Sequence, residues 1–267
     1  MTIKLGFIGG GVMGEALLSR LLVEGIYHPT EVLVSEPQSL RREFLEQTYG
    51  VNVTDQNQEV AQAQEVLLLA IKPQVFGSVV QELGEMLTGS LILSILAGVT
   101  LQQLETAFPG HPVIRVMPNT PATVGAGMSA MAAGAGVENS QLGLAEDILR
   151  AVGEVVVVPE SLMDAVTGLS GSGPGYVAIL VEALTDGGVA AGLPRAIAAQ
   201  LALQTVWGTA QLLKETEMHP AILKDRVTSP GGTTIAGITQ LEKYQFRAAI
   251  IEAVKAAAQR SEELGKS

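Results

Sequence analysis

Residues 4 to 17 read Lys4-Leu5-Gly6-Phe7-Ile8-Gly9-Gly10-Gly11-Val12-Met13-Gly14-Glu15-Ala16-Leu17. A short apolar run comes first, then glycines in the spacing G-x-G-x-x-G, then helix-forming residues. This order is typical of a dinucleotide-binding fold: Gly9 turns the chain, Gly11 lets the backbone approach a pyrophosphate, and Gly14 lets helix and strand pack closely. The stretch predicts a cofactor site built from Gly9, Gly11, Val12, Met13 and Gly14, with unpaired N–H groups at the helix N-terminus.

An acidic residue lies at the distance this fingerprint requires. Glu36 follows a second apolar run, 22 positions beyond Gly14, and the fingerprint places a ribose-binding carboxylate about 20 residues on. The alternative is a flexible glycine turn that binds nothing. We expect a dinucleotide site.

The composition argues against several classes of function. The 267 residues include 16 basic and 27 acidic side chains, for a formal net charge of -11, and no cysteine. We expect no nucleic-acid partner, because phosphate binding needs clustered Lys and Arg. Disulfides and zinc-thiolate sites need cysteine, and no histidine spacing suggests another metal site. We expect a cytoplasmic protein, since the N-terminal run lacks the features of a signal peptide.

Strand and helix patterns divide the chain into two parts. Up to about residue 158, aliphatic runs alternate with helical patterns, which indicates a parallel sheet covered on both faces. Beyond Pro159 only helical patterns follow. We predict an α/β fold, with a Rossmann-like dinucleotide-binding domain over residues 1–159 and an all-helical domain over residues 160–267. The predicted strands are Ile3–Ile8, Glu31–Ser35, Val66–Ala70, Leu91–Ile95, Val113–Val116, Gly127–Met131 and Val155–Val158. The predicted helices of this part are Met13–Glu24, Leu40–Thr48, Gln74–Leu87, Leu101–Ala107 and Gln141–Val152.

The most apolar stretch runs from Tyr176 to Trp207. Charged residues, a glycine pair and a proline interrupt it, so no uncharged run reaches the roughly 18 residues that a membrane span requires. We therefore expect no membrane partner. Helices that are apolar on nearly every face must still be covered by protein, which predicts a subunit interface.

Ligands of open α/β sheets bind beyond the carboxyl ends of the strands. The residues at such positions include Ala70, Lys72, Pro73 and Asn119. Lys72 and Asn119 are candidates to reach a nicotinamide or a substrate. The alternatives are a solvated lysine at a helix start and a turn residue between two prolines.

Two further glycine-rich clusters lie in the helical part. Residues 229 to 234, Ser-Pro-Gly-Gly-Thr-Thr, precede a helical pattern, so their N–H groups are candidates to bind an anion. The alternative is a purely structural turn in which Thr233 caps the helix. Residues 170 to 174, Ser-Gly-Ser-Gly-Pro, form either an interdomain hinge or a pocket wall.

The histidines offer no evident general base. Each of the three lies in a proline-containing loop pattern. A reaction that needs none is hydride transfer to an activated substrate such as a protonated imine, where positioning supplies most of the acceleration.

Five segments together resemble pyrroline-5-carboxylate reductase, and they occur in the family's order along nearly the whole chain. They are Ile8–Gly14, Ala70–Gln74, Arg115–Pro121, Asp164–Pro174 and Asp225–Thr234. The resemblance implies reduction of the C=N bond of 1-pyrroline-5-carboxylate by a nicotinamide cofactor, which gives L-proline. It also implies that the helical domain binds substrate and forms a homodimer, often assembled further.

The resemblance assigns roles to individual residues. The substrate carboxylate would bind the loop of Ser229, Gly231, Gly232 and Thr233, and Thr234 would hydrogen-bond the imine as the catalytic residue. In the cofactor site, Asn57 would lie near the adenosine ribose and Ser35 near a 2′-phosphate.

The residues leave two coenzymes possible, NADPH and NADH. Glu36 stands where the family often has a small hydroxyl residue, and a carboxylate there binds a 2′-OH but repels a 2′-phosphate. Arg41 and Arg42 could instead attract the phosphate. The family's habit favours NADPH, with NAD as the alternative.

Two other functions compete with the reductase. One is reduction of a related cyclic imine or a β-hydroxyacid, although the latter expects a lysine that residues 176 to 192 lack. The other is a non-catalytic dinucleotide-binding sensor or assembly protein.

Overall fold

The computed structural model describes residues 2–83, 86–87 and 89–265. It divides into two compact units. The first contains the chain up to Ser172 together with the stretch from Ala256 on, and the second is Gly173–Lys255. Residues 160 to 172 therefore belong to the same compact unit as the sheet. One of their contacts is made by Met163, which is buried in one of the two hydrophobic cores of that unit. The domain boundary after residue 159 stays a prediction, since packing alone does not define a domain.

An eight-stranded sheet forms the centre of the first unit, in the order β3-β2-β1-β4-β5-β6-β7-β8. The first six strands have the order of a doubly wound dinucleotide-binding fold and pair in parallel. β7 is antiparallel to β6 and parallel to β8. The strands are β1 Leu5–Ile8, β2 Val32–Ser35, β3 Asn52–Thr54, β4 Val66–Leu69, β5 Leu91–Ser94, β6 Val113–Met117, β7 Gly127–Ala133 and β8 Gly153–Val157.

The central strands are buried on both faces, which explains their uninterrupted apolar sequence. Side chains alternate between two hydrophobic cores, since successive residues of a strand point to opposite faces. Phe7 and Leu68 lie in one core, whereas Ile8, Leu67 and Leu69 lie in the other. Both faces are therefore occupied by side chains, which leaves the strand ends for ligands.

Helices pack against both faces of this sheet. They are α1 Val12–Val23, α2 Ser39–Tyr49, α3 Asn57–Val60, α4 Phe76–Leu83, α5 Leu101–Ala107, α6 Asn139–Arg150 and α7 Met163–Val166. A π-helical turn, Thr167–Gly171, follows α7. The predicted helix Gln74–Leu87 begins instead as a 3₁₀ turn, Pro73–Val75, and its positions 84 and 85 lie outside the described residues.

The second unit is helical. Its helices are α8 Gly173–Ala190, α9 Arg195–Thr216, α10 Pro220–Arg226, α11 Thr233–Lys243 and α12 Phe246–Gly265, of which α12 continues into the first unit. Residues 191–194, 217–219, 227–232 and 244–245 separate these helices. Within the part of the chain that the structure describes, we find no helix with the length and apolarity needed to cross a membrane.

Candidate functional site

The glycine turn between β1 and α1 has the geometry that the spacing predicts. Gly9 has a φ of 101°, and a Cβ there would lie 2.6 Å from the Ala70 carbonyl oxygen. A Cβ on Gly14 would lie 2.6 Å from the Gly9 carbonyl oxygen. Gly11 is different, because a Cβ there would meet no atom within 4 Å. The fold thus requires Gly9 and Gly14, whereas Gly11 leaves space beside the helix end.

The N-terminus of α1 is open to a ligand. Gly11 is its N-cap residue, with no side-chain hydrogen bond to the first turn, so the first N–H groups of the helix are available to an anion. Val12 is exposed and Met13 is half-buried. A pyrophosphate fits this arrangement of open space and N–H donors.

The peptide groups of Gly10 are fixed by two side chains. The Gly10 N–H donates to Glu36 Oε2 at 3.1 Å, and the second carboxylate oxygen, Oε1, accepts from the Gln38 N–H at 3.1 Å. The Gly10 carbonyl accepts from Arg41 Nε at 2.7 Å. We call Glu36 and Arg41 the loop clamp, since together they hold the glycine turn in place.

A second layer of polar contacts fixes the arginine of the loop clamp. Arg41 forms an ion pair with Glu15, and the Tyr49 hydroxyl donates to the other oxygen of Glu15 at 2.6 Å. Burial raises the pKa of Tyr49 to about 12, and the Glu15 carboxylate adds to this shift. Burial also raises the pKa of Glu15, but hydrogen bonds from Tyr49 and Arg41 outweigh it and leave that pKa below its usual value.

Ser35 and Asn57, both assigned to the cofactor by resemblance, contact each other. The Ser35 hydroxyl donates to Asn57 Oδ1 at 2.7 Å, and Asn57 Nδ2 donates to Glu82 Oε2 at 2.6 Å. Ser35 is buried at the end of β2. The structure therefore brings these two predicted residues together beside Glu36.

The carboxyl ends of β4 and β5 open into a cavity of about 580 Å³. Pro73, Phe76, Gly98 and Leu264 contribute to its lining. Its volume lies within the usual range for small-molecule sites. Ala70 is half-buried at the end of β4, and Lys72 is exposed just before the 3₁₀ turn.

Asn119 has a structural position at the end of β6. Its Nδ2 donates to the Ser170 carbonyl at 3.1 Å, and its Oδ1 accepts from the Met128 N–H at 2.9 Å. The side chain thereby connects β6, β7 and the π-helical turn. These contacts agree with the alternative of a turn residue, and its substrate contact stays a prediction.

The late glycine cluster forms a tight turn before α11. The Gly232 N–H donates to the Ser229 carbonyl at 3.0 Å, and Gly231 has a φ of 64°. Proline at the second position and a left-handed glycine at the third are typical of a type II turn. The N-cap residue is Gly232, so the expectation that Thr233 caps the helix is wrong, whereas a purely structural turn stays an alternative.

The turn presents a helix N-terminus and two hydroxyl groups to solvent. Thr233 and Thr234 are the first two residues of α11, and their N–H groups have no helical carbonyl four residues back. Ser229 and Thr233 are exposed, whereas Thr234 is half-buried. A Cβ on Gly232 would lie 2.3 Å from the Ser229 hydroxyl oxygen. The turn therefore has the donors that a small carboxylate requires.

The cluster of residues 170 to 174 contains the point at which the two compact units divide. Gly171 lies against Met117, whose Cε would be 2.8 Å from a Cβ at that glycine. The hinge and the pocket wall both stay predictions.

A partly buried ion pair beside the strand ends was missed at the level of sequence. Arg115 of β6 pairs with Glu160 at 3.1 Å, and the same carboxylate oxygen accepts from the Leu101 N–H at 2.6 Å. A basic residue within an otherwise apolar strand is the signal that could have identified this pair. It fixes the start of α5 near the cavity.

Comparisons with known proteins identify the family. Residues 160–264 match the family model for pyrroline-5-carboxylate reductase dimerisation, and residues 4–98 match the model for NADP oxidoreductase, coenzyme F420-dependent. A pyrroline-5-carboxylate reductase from Synechocystis sp. is 63% identical over 266 residues, which cover 100% of both proteins. The chain belongs to the pyrroline-5-carboxylate reductase family. A reductase from Arabidopsis thaliana is 45% identical, covering 100% of this chain and 97% of that protein.

Solved structures of reductases in this family have the same fold. The Coxiella burnetii enzyme matches with a TM-score of 0.93 and 37% identity, covering 100% of both chains. The Plasmodium falciparum enzyme, crystallised with NADP bound, matches with a TM-score of 0.90 and 32% identity, covering 98% of both. The predicted fold class is confirmed, with an N-terminal Rossmann-like sheet domain and a helical C-terminal dimerisation domain. The predicted enzyme class, an oxidoreductase that makes proline, is confirmed as well.

Proposed function

We propose that the chain reduces 1-pyrroline-5-carboxylate to L-proline with NADPH or NADH, using the glycine turn at Gly9–Gly14 for the coenzyme and the late turn at Ser229–Thr234 for the substrate. The observation that carries this assignment is the late turn. Its free N–H groups and its threonine hydroxyl match a substrate that has one carboxylate and one imine.

The substrate requires two kinds of contact. Its carboxylate needs hydrogen-bond donors, which the first turn of α11 and the Ser229 hydroxyl supply without a buried unpaired charge. Its ring nitrogen needs a partner that accepts or donates a proton as the bond order changes. Thr234 has that capacity, because a hydroxyl group is both donor and acceptor.

The reduction adds one hydride and one proton across the C=N bond. The bound nicotinamide supplies the hydride, which goes to the ring carbon attached to nitrogen. The electron pair of the C=N π bond moves to the nitrogen, so the protonated imine becomes a neutral secondary amine. Thr234 orients that nitrogen by hydrogen bonding while the amine takes a proton from solvent water, which gives the ammonium form of L-proline at neutral pH.

The coenzyme is a nicotinamide dinucleotide. The resemblance to the family favours NADPH, and the Plasmodium falciparum relative with NADP bound supports NADPH as a coenzyme that such a site accepts. NADH is the alternative, and the open space at Gly11 fits the pyrophosphate of either coenzyme.

The activity is tested directly by mixing the purified chain with 1-pyrroline-5-carboxylate and each coenzyme. We expect oxidation of the coenzyme, measured as a fall in absorbance at the nicotinamide band. L-Proline should form in an equal amount. A folded sample that binds coenzyme but forms no proline would contradict the proposal and favour the non-catalytic sensor.

The second compact unit requires a partner to bury its apolar surface. Within residues 173–255, all of which the structure describes, just three residues are buried: Thr185, Ala198 and Ala202. Large apolar side chains stay exposed, among them Ile179 at 67% and Trp207 at 59%. Apolar patches of this kind mark protein interfaces. The occupant is a second copy of the chain, in agreement with the match to the dimerisation model over residues 160–264.

Substitution of Ile179 by aspartate is expected to weaken the homodimer. A charge placed in a desolvated interface costs several kcal/mol, so the dissociation constant should rise by about 100-fold or more. Analytical ultracentrifugation across a concentration series measures this constant. Leu40→Asp is the matched control, because Leu40 is 79% exposed on α2 of the first unit. A wild-type chain that sediments as a monomer throughout would contradict the homodimer.

The cytoplasmic location expected from the sequence stays a prediction. Fractionation of cells with an antibody against the chain measures it directly.

A further inference from the structure

We propose that Glu36 sets the coenzyme preference of this chain and that it makes the chain favour NADH over NADPH. The inference rests on the proposed dinucleotide site at the glycine turn. It concerns the end of β2, where the ribose of a dinucleotide lies in this fold. The argument depends on where the Glu36 carboxylate is fixed and on which charges surround it.

The Glu36 carboxylate is fixed beside the glycine turn. It accepts one backbone N–H on each oxygen, from Gly10 and from Gln38, both at 3.1 Å. The residue is only 7% exposed. A carboxylate has about four acceptor positions, so each oxygen retains one for a further donor. The ribose 2′-OH of NADH is a donor of the right kind, and rotation of Glu36 away from it would cost both backbone contacts.

The arginines that could attract a 2′-phosphate already have partners. Arg41 donates to the Gly10 carbonyl and pairs with Glu15. Arg42 donates to the Glu36 and Pro37 carbonyls at 2.7 and 2.9 Å, and its second terminal nitrogen lies 3.6 Å from the Asp55 carboxylate. Recruiting either guanidinium to a phosphate requires that these contacts break.

Ser35, the hydroxyl residue that precedes Glu36, also has a hydrogen-bond partner. Its hydroxyl proton is donated to Asn57 Oδ1 at 2.7 Å. A serine hydroxyl has a single proton, so in this arrangement Ser35 does not donate to a phosphate oxygen. Sites that bind a 2′-phosphate usually have hydroxyl and cationic donors in place of this carboxylate. Here the carboxylate is present, and the neighbouring hydroxyl and guanidinium groups already have partners.

The local charges point the same way. Glu15, Glu36 and Asp55 outnumber Arg41 and Arg42, which leaves a net negative charge around the end of β2. A 2′-phosphate adds nearly two negative charges beside the fixed carboxylate. Like charges that lie close together repel strongly where solvent is partly excluded. The resemblance to the family favours NADPH. The charges around the end of β2 in this chain favour NADH instead.

The test is a coenzyme titration without substrate, using the full chain and following nicotinamide fluorescence. We expect the wild type to bind NADH about tenfold more tightly than NADPH. Glu36→Gln removes the charge and keeps the side-chain shape, so the ratio of the NADPH to the NADH dissociation constant should fall by about tenfold. Higher ionic strength should lower the same ratio in the wild type by screening the repulsion.

Glu46→Gln is the matched control, because it removes one exposed carboxylate from α2, the helix that follows Glu36 in the chain. It should leave the ratio unchanged. Equal or tighter binding of NADPH by the wild type would overturn the inference, whatever the variant's folding. A ratio that stays within twofold in a folded Glu36→Gln variant would overturn it as well. Coenzyme preference is read without substrate, so failure of imine reduction with the preference intact would overturn the proposed function alone.

Discussion

Substitution of Gly11 by valine is expected to abolish coenzyme binding while the fold stays intact. A Cβ at Gly11 meets no atom within 4 Å, and the φ of -70° suits any residue. The added methyl groups would therefore enter the open space beside α1, where the pyrophosphate must approach the backbone. We expect the dissociation constants of both coenzymes to rise by more than about 100-fold. Fluorescence titration measures them, and thermal unfolding checks the fold.

Two further glycines separate loss of binding from loss of structure. Gly143 of α6 also has open space at its Cβ position, so Gly143→Ala should leave coenzyme binding unchanged and raise the melting temperature slightly, because alanine has the higher helix propensity. Gly14→Ala should behave differently, because its Cβ would lie 2.6 Å from the Gly9 carbonyl oxygen and would lower the melting temperature. Coenzyme affinities within threefold of wild type in Gly11→Val would contradict the proposed pyrophosphate position.

Most of the sheet could be predicted from the sequence because its central strands are buried on both faces. Such strands are continuous apolar runs, and β4 and β5 begin where they were predicted. β3, Asn52–Thr54, was missed, since a short edge strand with exposed and half-buried polar residues has no such run. The reversed direction of β7 was also missed. Strand direction depends on how connections cross the sheet, and no periodicity within a strand encodes it.

The candidate site was predictable where backbone geometry alone decides the residue type. Gly9 and Gly14 follow from a left-handed turn and a close helix contact. The loop clamp was not predictable, because Arg41 could bind a phosphate or the protein itself. Only the positions of Glu15 and the Gly10 carbonyl settle its partners. Asn119 is similar, since its contacts come from segments distant in the chain.

Removal of the Thr234 hydroxyl is expected to slow the reduction while coenzyme binding stays unchanged. Thr234 is the second residue of α11. Other threonine hydroxyls donate to the carbonyl four residues back, as Thr239 does to Ile235 at 2.8 Å. For Thr234 that position is Pro230, which lies outside the helix, so its hydroxyl is suited to a ligand. Loss of one positioned donor costs roughly 100-fold in kcat, and steady-state kinetics with Thr234→Ala measures this effect.

Two variants test whether the hydroxyl itself is responsible. Thr234→Ser keeps the hydroxyl and should restore most of the rate, whereas a purely packing role would not be restored by the smaller side chain. Thr239→Ala is the matched control, because it removes a hydroxyl from the exposed surface of the same helix. It should leave kcat and both Michaelis constants near wild type. A Thr234→Ala enzyme that retains kcat within twofold would mean that the imine nitrogen is oriented by another group.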